Sequence, residues 1–150
     1  MRLALIMSLA FILASSNIFG QTRMITGKVI NENLEAISEV RIKNSDTVLL
    51  GKTDTEGKFT IEIPTTTKTL LFSWIGYEWK SIKLSANCDT LEIILMYNAI
   101  YDYISLKKID KLRMKRFEKL PELYSEAYKR GIFINQLPCY EQKFNPIGKK

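Results

Sequence analysis

Residues 54–63, Asp-Thr-Glu-Gly-Lys-Phe-Thr-Ile-Glu-Ile, join a turn to an alternating segment. The aspartate of this stretch can bond the backbone that follows it, and the glycine tolerates the positive φ that many tight turns require. Phe59, Ile61 and Ile63 then alternate with polar residues, and this period of two is typical of a half-buried β-strand. The stretch therefore predicts a turn that leads directly into a strand.

The same alternation recurs on both sides of this stretch, between turn signals that are rich in Asn, Asp, Gly and Pro. Five further segments show it, 25–29, 40–43, 70–74, 82–84 and 91–95, and the less clear run 47–50 adds a seventh strand. Short strands with no helical pattern between them favour an antiparallel sandwich, because a parallel sheet would need crossover helices. We therefore predict a mainly β domain, a seven-strand antiparallel β-sandwich, over residues 24–98.

Three motifs in this domain also point to a known family. They are residues 25–29 (Ile-Thr-Gly-Lys-Val), 54–59 (Asp-Thr-Glu-Gly-Lys-Phe) and 72–77 (Phe-Ser-Trp-Ile-Gly-Tyr). Their order and spacing resemble the carboxypeptidase regulatory-like domain of bacterial envelope proteins. The resemblance covers about residues 24–97 and implies a transthyretin-like (prealbumin-like) β-sandwich that acts as an accessory module. One departure is visible, since residues 33–36 replace the Gly-rich turn that the family usually has between its first two strands.

The first twenty residues are typical of a secretory signal peptide. Arg2 supplies a positive start, and residues 3–13 form an apolar run that only Ser8 interrupts. This run is shorter than the roughly 20 apolar residues that span a bilayer. We expect residues 1–20 to be a signal peptide cleaved before Gln21. The mature protein would then be periplasmic or secreted, without a transmembrane helix, in an oxidising compartment.

The sequence contains no histidine, which excludes Ser-His and Cys-His nucleophile pairs and histidine-ligated zinc. Carboxypeptidase catalysis belongs to a separate zinc domain with histidine ligands, so the resemblance implies only a non-catalytic module. Asp54 and Glu56 fall short of the roughly 6 to 8 oxygen ligands that calcium takes. We therefore expect a protein that is not an enzyme, with no catalytic residue, no cofactor and no metal site.

Residues 99–150 differ from the sandwich and are predicted to form a basic helical extension. Residues 101–150 contain twelve basic and six acidic side chains, whereas the preceding domain is close to neutral. Ser105 is suited to cap a helix that begins at Leu106, and Pro121 fits the first turn of a second helix. Gly131 is a natural stop for that second helix.

The first helix of the extension is predicted to be amphipathic. Its apolar residues, Leu106, Ile109, Leu112 and Phe117, together with Leu120, recur at spacings of three to five. The opposite side is basic: Lys107, Lys108, Lys111, Arg113, Lys115, Arg116 and Lys119. Three interpretations remain open: lysines that are merely solvated above a packed apolar side, an anionic outer-membrane surface, or an acidic groove of an envelope protein. Nucleic acid is not expected as a partner of a secreted protein.

Aromatic residues at the end of the fifth predicted strand suggest a second kind of ligand. Trp74 shares a face with Leu70 and Phe72 and is expected in the core. Tyr77 and Trp79 are better candidates for exposure, and their rings could stack on a sugar. A carbohydrate-binding module is therefore the alternative to our main interpretation. That interpretation is a secreted, non-catalytic binding or scaffold module of the cell envelope, with an unknown oligomeric state.

The two cysteines offer a link between the sandwich and the extension. Cys88 lies in the turn before the last predicted strand, and Cys139 lies near the end of the chain. In an oxidising compartment they could form a disulfide that closes a loop of about 50 residues. The sequence alone does not show whether their Cα atoms come within bridging distance, so the pairing stays open at this stage.

Overall fold

The computed structural model describes residues 20–148, so the predicted signal peptide lies outside the described residues except for Gly20. Within this range the chain forms seven strands followed by two helices. The strands are β1 (Thr22–Asn31), β2 (Arg41–Asn44), β3 (Leu49–Lys52), β4 (Lys58–Pro64), β5 (Thr69–Ser73), β6 (Lys80–Lys83) and β7 (Thr90–Leu95). The helices are α1 (Leu106–Phe117) and α2 (Leu120–Lys129). All seven predicted strands are present, although β3 begins two residues later than the less clear run 47–50 that predicted it.

The strands divide into a three-stranded sheet, in the order β4-β1-β7, and a four-stranded sheet, in the order β3-β2-β5-β6. Neighbouring strands are antiparallel in every pair but one, because β1 and β7 run parallel from Thr26–Thr90 to Asn31–Leu95. The prediction of an antiparallel sandwich is therefore wrong at this pair. Its premise was that parallel strands need a crossover helix, whereas here the four-stranded sheet lies within the connection between β1 and β7.

The main core lies between the two sheets. On β4, Phe59, Ile61 and Ile63 are buried and their neighbours are exposed, as the alternation predicts. Leu70 and Phe72 of β5 face them from the other sheet, and the rings of Phe59 and Phe72 are 5.6 Å apart. Full burial of side chains of this size contributes roughly 1.5 to 3 kcal/mol each.

The turn before β4 has the predicted form. The backbone N–H groups of Glu56 and Lys58 donate to Asp54 Oδ1 at 2.9 and 2.8 Å. Gly57 has a φ of 73°, and a Cβ there would lie 2.4 Å from the carbonyl oxygen of Val29. The carboxylate of Asp54 therefore stabilises the turn. Among residues 20–148, no group of three or more acidic or cysteine side chains is placed to hold a metal ion.

A second apolar layer covers the outer face of the three-stranded sheet. Ile30 of β1 and Ile94 of β7 project outward and are fully buried beneath α2 and the segment after it. The covering side chains are Leu120, Tyr124, Ala127 and Phe133. The molecule therefore has three layers, and β7 is buried on both of its faces.

The helices begin and end near the predicted residues, but only part of the predicted apolar side is covered, including Phe117, which is half-buried, and Leu120, which is buried. Ser105 caps α1 by accepting a hydrogen bond from the Lys108 backbone, and Gly131 follows α2 with a φ of 70°. Leu106 and Leu112 are exposed, at 54% and 36%, and no residue of α1 is fully buried. No helix among residues 20–148 is long and apolar enough to cross a membrane.

Candidate functional site

Helix α1 contacts the sandwich mainly through charged groups. The guanidinium of Arg113 binds Glu78 in a bidentate pair, with Nε–Oε1 and Nη2–Oε2 distances of 3.0 and 2.9 Å. The same group donates to Asp110 Oδ1 at 3.1 Å and to the carbonyl of Asn145 at 3.0 Å. The hydrogen bonds to the Glu78 carboxylate raise the pKa of Arg113, so this guanidinium remains charged.

One turn further along, Arg116 fastens α1 to the turn after β1. Its Nε lies 3.1 Å from Glu32 Oε1, and its Nη2 donates to the carbonyl of Tyr97 at 2.8 Å. Glu32 also accepts the backbone N–H of Tyr97 at 2.8 Å, which ties three segments together. The carboxylate of Glu32 raises the pKa of Arg116.

The C-terminal segment closes over the same side of α1. Asp110 accepts the backbone N–H groups of Ile147 and Gly148, both at 2.8 Å. These two hydrogen bonds lower the pKa of Asp110. The inward side of α1 therefore carries two arginines and an aspartate, and each of them forms ion pairs or hydrogen bonds within the protein.

The lysines of α1 point the other way. Four of them and the adjacent Lys119, which precedes α2, form what we call the lysine face, which is exposed to solvent: Lys107, Lys108, Lys111, Lys115 and Lys119. At 3.6 residues per turn they cluster opposite Arg113, and Leu112 and Met114, each 36% exposed, flank them. None of the five forms an ion pair with residues 20–148. The structure thus divides the seven predicted basic residues into two structural arginines and five solvent-facing lysines.

Two further anchors hold the C-terminal segment against the sandwich. The sulfur atoms of Cys88 and Cys139 form a disulfide, with the two Cα atoms 5.7 Å apart. The buried carboxylate of Glu92, on β7, accepts the backbone N–H groups of Ile134 and Asn135. The extension is therefore part of the folded unit, and the lysine face has a fixed position on it.

The aromatic candidates do not form one platform. Trp79 is 73% exposed, whereas Tyr77 is half-buried and stacks on Tyr97 with ring centroids 5.0 Å apart. Exposed Ile75, at 87%, and half-buried Trp74 lie close to Trp79 around a shallow depression. Only Trp79 of the predicted pair therefore presents a ring face to solvent.

Sequence reasoning missed the two acidic anchors of α1, Glu32 and Glu78. Each lies in an ordinary polar turn, and its partner is 84 or 35 residues away, so no local pattern identifies it. The sequence could have predicted that the outer face of the three-stranded sheet is covered, because residues 93–96 are apolar without alternation. A continuous apolar run of this kind is typical of a strand that is buried on both faces.

Comparison with known proteins agrees with this architecture. The family model of the CarboxypepD_reg-like domain matches residues 25–102, which is just over half of the chain and includes all seven strands except the first residues of β1. No curated protein matches the chain. This regulatory-like domain is a non-catalytic β-sandwich fold, and the helical extension lies beyond the matched residues. The chain belongs to the CarboxypepD_reg-like domain family.

Proposed function

We propose that the protein is a secreted, non-catalytic binding module of the bacterial cell envelope that docks on an anionic outer-membrane surface through its lysine face. The proposal includes cleavage of residues 1–20, a periplasmic or secreted location and a transthyretin-like arrangement of the sandwich. The observation that carries it is the separation of arginines from lysines on α1 and the adjacent Lys119. The two arginines turn inward to Glu78 and Glu32, and the five lysines turn outward.

The type of side chain favours a diffuse anionic surface over a shaped pocket. Arginine recognises single carboxylates or phosphates with a rigid fork, whereas lysine is a flexible point charge. The lysine face lies on a convex helix, with Leu112 and Met114 available to contact the boundary of a lipid layer. Lysines near an anionic membrane contribute roughly 1 kcal/mol each. Four or five of them are therefore sufficient for reversible docking.

Sedimentation with lipid vesicles tests this proposal on the chain from Gln21 onward. The protein should sediment with vesicles that contain phosphatidylglycerol and not with vesicles of phosphatidylcholine alone. Binding should weaken as salt rises to physiological strength, because screening shortens the range of these interactions. Replacing Lys107, Lys108, Lys111 and Lys115 with Gln should reduce the affinity by about a hundredfold or more.

A matched variant controls for the change in net charge. Lys43, Lys68, Lys83 and Lys129 lie elsewhere on the protein and form no ion pair with residues 20–148, so replacing these four with Gln removes the same charge. We expect this control to bind nearly as well as the unchanged protein. If both variants lost the same affinity for vesicles, net charge alone would explain the binding and the lysine face would have no special role. No vesicle binding at low salt would reject the docking surface.

Carbohydrate binding remains the second candidate, because Trp79 is 73% exposed beside other apolar groups. Such a ring can stack on a pyranose face. Glycan binding that is lost in Trp79→Ala, and kept in the four-lysine variant, would favour this function over membrane docking.

A further inference from the structure

A small cavity lies where β6, α1 and the C-terminal segment meet. It has a volume of about 70 Å³, which gives room for a few water molecules or one small polar group. Its lining includes Lys80 of β6, Phe117 of α1, and Gln142 and Phe144 of the C-terminal segment. The exposed indole of Trp79 also belongs to the lining and marks the side that opens to solvent.

Lys80 brings an amine into this cavity without a counter-ion. Its Nζ donates to the carbonyl of Ile94 at 3.2 Å and to Gln142 Oε1 at 3.0 Å, and it lies 5.6 Å from the ring centroid of Tyr140. Both acceptors are neutral, and within residues 20–148 no carboxylate forms an ion pair with Lys80. Burial lowers the pKa of Lys80 to about 7.

The other charged groups of the lining do not neutralise this amine. Glu78 is taken up by the bidentate pair with Arg113, and Glu141 and Lys143 are exposed residues of opposite charge. The amide of Gln142 is also incompletely satisfied, because its Nε2 is buried without a hydrogen bond. Its neighbour Tyr124 is engaged with the carbonyl of Glu92 and with Tyr140.

One N–H of Lys80 and the amide nitrogen of Gln142, which lies near Tyr124, therefore lack a well-formed hydrogen bond, and both residues line the cavity. An ammonium group has three N–H donors, and the structure supplies two acceptors to that of Lys80. The amide nitrogen of Gln142 adds a second buried donor. An unsatisfied buried donor is costly to the folded state, and a buried charge without a partner costs more. A ligand that brings an anionic acceptor would remove both costs together.

We propose that this cavity binds a carboxylate group, held by Lys80 and by the amide of Gln142. The cavity admits little more than the carboxylate itself, so the rest of the ligand would lie between Phe144 and Trp79 at the opening. The ligand class is a small carboxylic acid with an apolar body, or the free carboxyl terminus of a peptide. This site is separate from the lysine face and does not depend on the membrane-docking proposal.

Two pairs of probes distinguish the sources of the carboxylate. The first pair is 3-phenylpropionate and its amide, and the second is acetyl-Ala-Phe with a free or an amidated carboxyl terminus. NMR of a labelled Lys80 side chain should show saturable binding of one or both acids and of neither amide. Binding should be tighter at about pH 6 than at about pH 9, because the neutral amine loses the charge that attracts the ligand. The bound acid should raise the pKa of Lys80.

Two variants act on the proposed contacts in different ways. Lys80→Met removes the amine, and Gln142→Glu places an internal carboxylate 3.0 Å from it. Each should weaken binding of the acids by about tenfold or more, whereas Lys83→Met on the same strand should not. The Gln142→Glu protein should also show a raised pKa for Lys80 without ligand. Binding of acids and amides alike, or acid binding that survives in Gln142→Glu, would overturn the proposal, as would no saturable binding of either acid.

Discussion

The burial of Lys80 makes the stability of the folded protein depend on pH. A lysine in the unfolded chain has a pKa near its ordinary value of 10.5, whereas burial lowers the pKa of Lys80 to about 7 in the folded protein. Between these two values the unfolded chain binds more protons than the folded one. The buried amine therefore lowers the free energy of unfolding most below pH 7. This destabilisation decreases as the pH rises toward 10.5.

We expect the free energy of unfolding to rise with pH over this window, by up to about 1.4 kcal/mol per pH unit for a single proton. Lys80→Met should remove that slope and be more stable than the unchanged protein at neutral pH. Urea unfolding midpoints at several pH values measure both effects. Lys83→Met, which alters an exposed lysine on the same strand, should keep the slope. The same slope in both variants would assign the pH dependence to other groups.

At the scale of the element, α1 and α2 are held by different forces. Helix α2 buries Leu120, Tyr124 and Ala127 against the sheet, so the hydrophobic effect keeps it in place. Helix α1 buries no residue fully and depends on the ion pairs of Arg113 and Arg116. These pairs are mostly shielded from water, so they are less weakened by solvent than surface pairs are.

Replacing Arg113 and Arg116 with Gln should therefore release α1 while α2 stays docked. Removing one partner of a largely buried pair costs about 1.5 to 3 kcal/mol, because the remaining carboxylate loses its hydrogen bonds. Hydrogen exchange should become faster across residues 106–117 and remain slow around Tyr124. Lys108→Gln with Lys115→Gln removes the same charge from the outer side and should leave exchange unchanged. Equal exchange in the two double variants would contradict the role given to the arginines.

The elements themselves were largely predictable from the sequence, but their partners were not. Alternation in segments such as 59–63 identified the strands because each buries one face. The parallel pairing of β1 with β7 depends on how distant strands meet, and no local pattern encodes it. The lysines of α1 were identified by helical spacing, yet the inward turn of Arg113 depends on Glu78, which belongs to the sandwich. The prediction placed all seven basic residues on one side, although at 3.6 residues per turn Arg113 already lies opposite the five lysines.

At the scale of the whole molecule, the extension is fixed to the sandwich at both ends. The ion pairs of α1 hold its beginning, and the bond between Cys88 and Cys139 holds its end. Cys88 is 1% exposed beside the main core, whereas Cys139 lies at the surface. The bond spans a sequence separation of 51 residues and closes a loop that contains β7, α1 and α2.

Chain-entropy models assign a loop of this length roughly 4 kcal/mol of stabilisation, because the bond restricts the unfolded chain. We expect Cys88→Ala with Cys139→Ala to lower the free energy of unfolding by about 2 to 4 kcal/mol. Unfolding in urea, with and without dithiothreitol, measures the effect. The reductant should destabilise the unchanged protein and leave the double variant as it was.

Loss of the bond should act first on the segment that it ties down. Residues 133–145 should exchange hydrogen faster in the double variant, whereas the core of β4 and β5 should stay protected, since its apolar contacts do not involve Cys139. The cavity at Lys80 is partly built from this segment, so binding of 3-phenylpropionate should weaken in the same variant. Full acid binding with unchanged exchange in residues 133–145 would show that the hydrogen bonds to Glu92 are enough to hold the segment. The bond would then contribute only through the unfolded state.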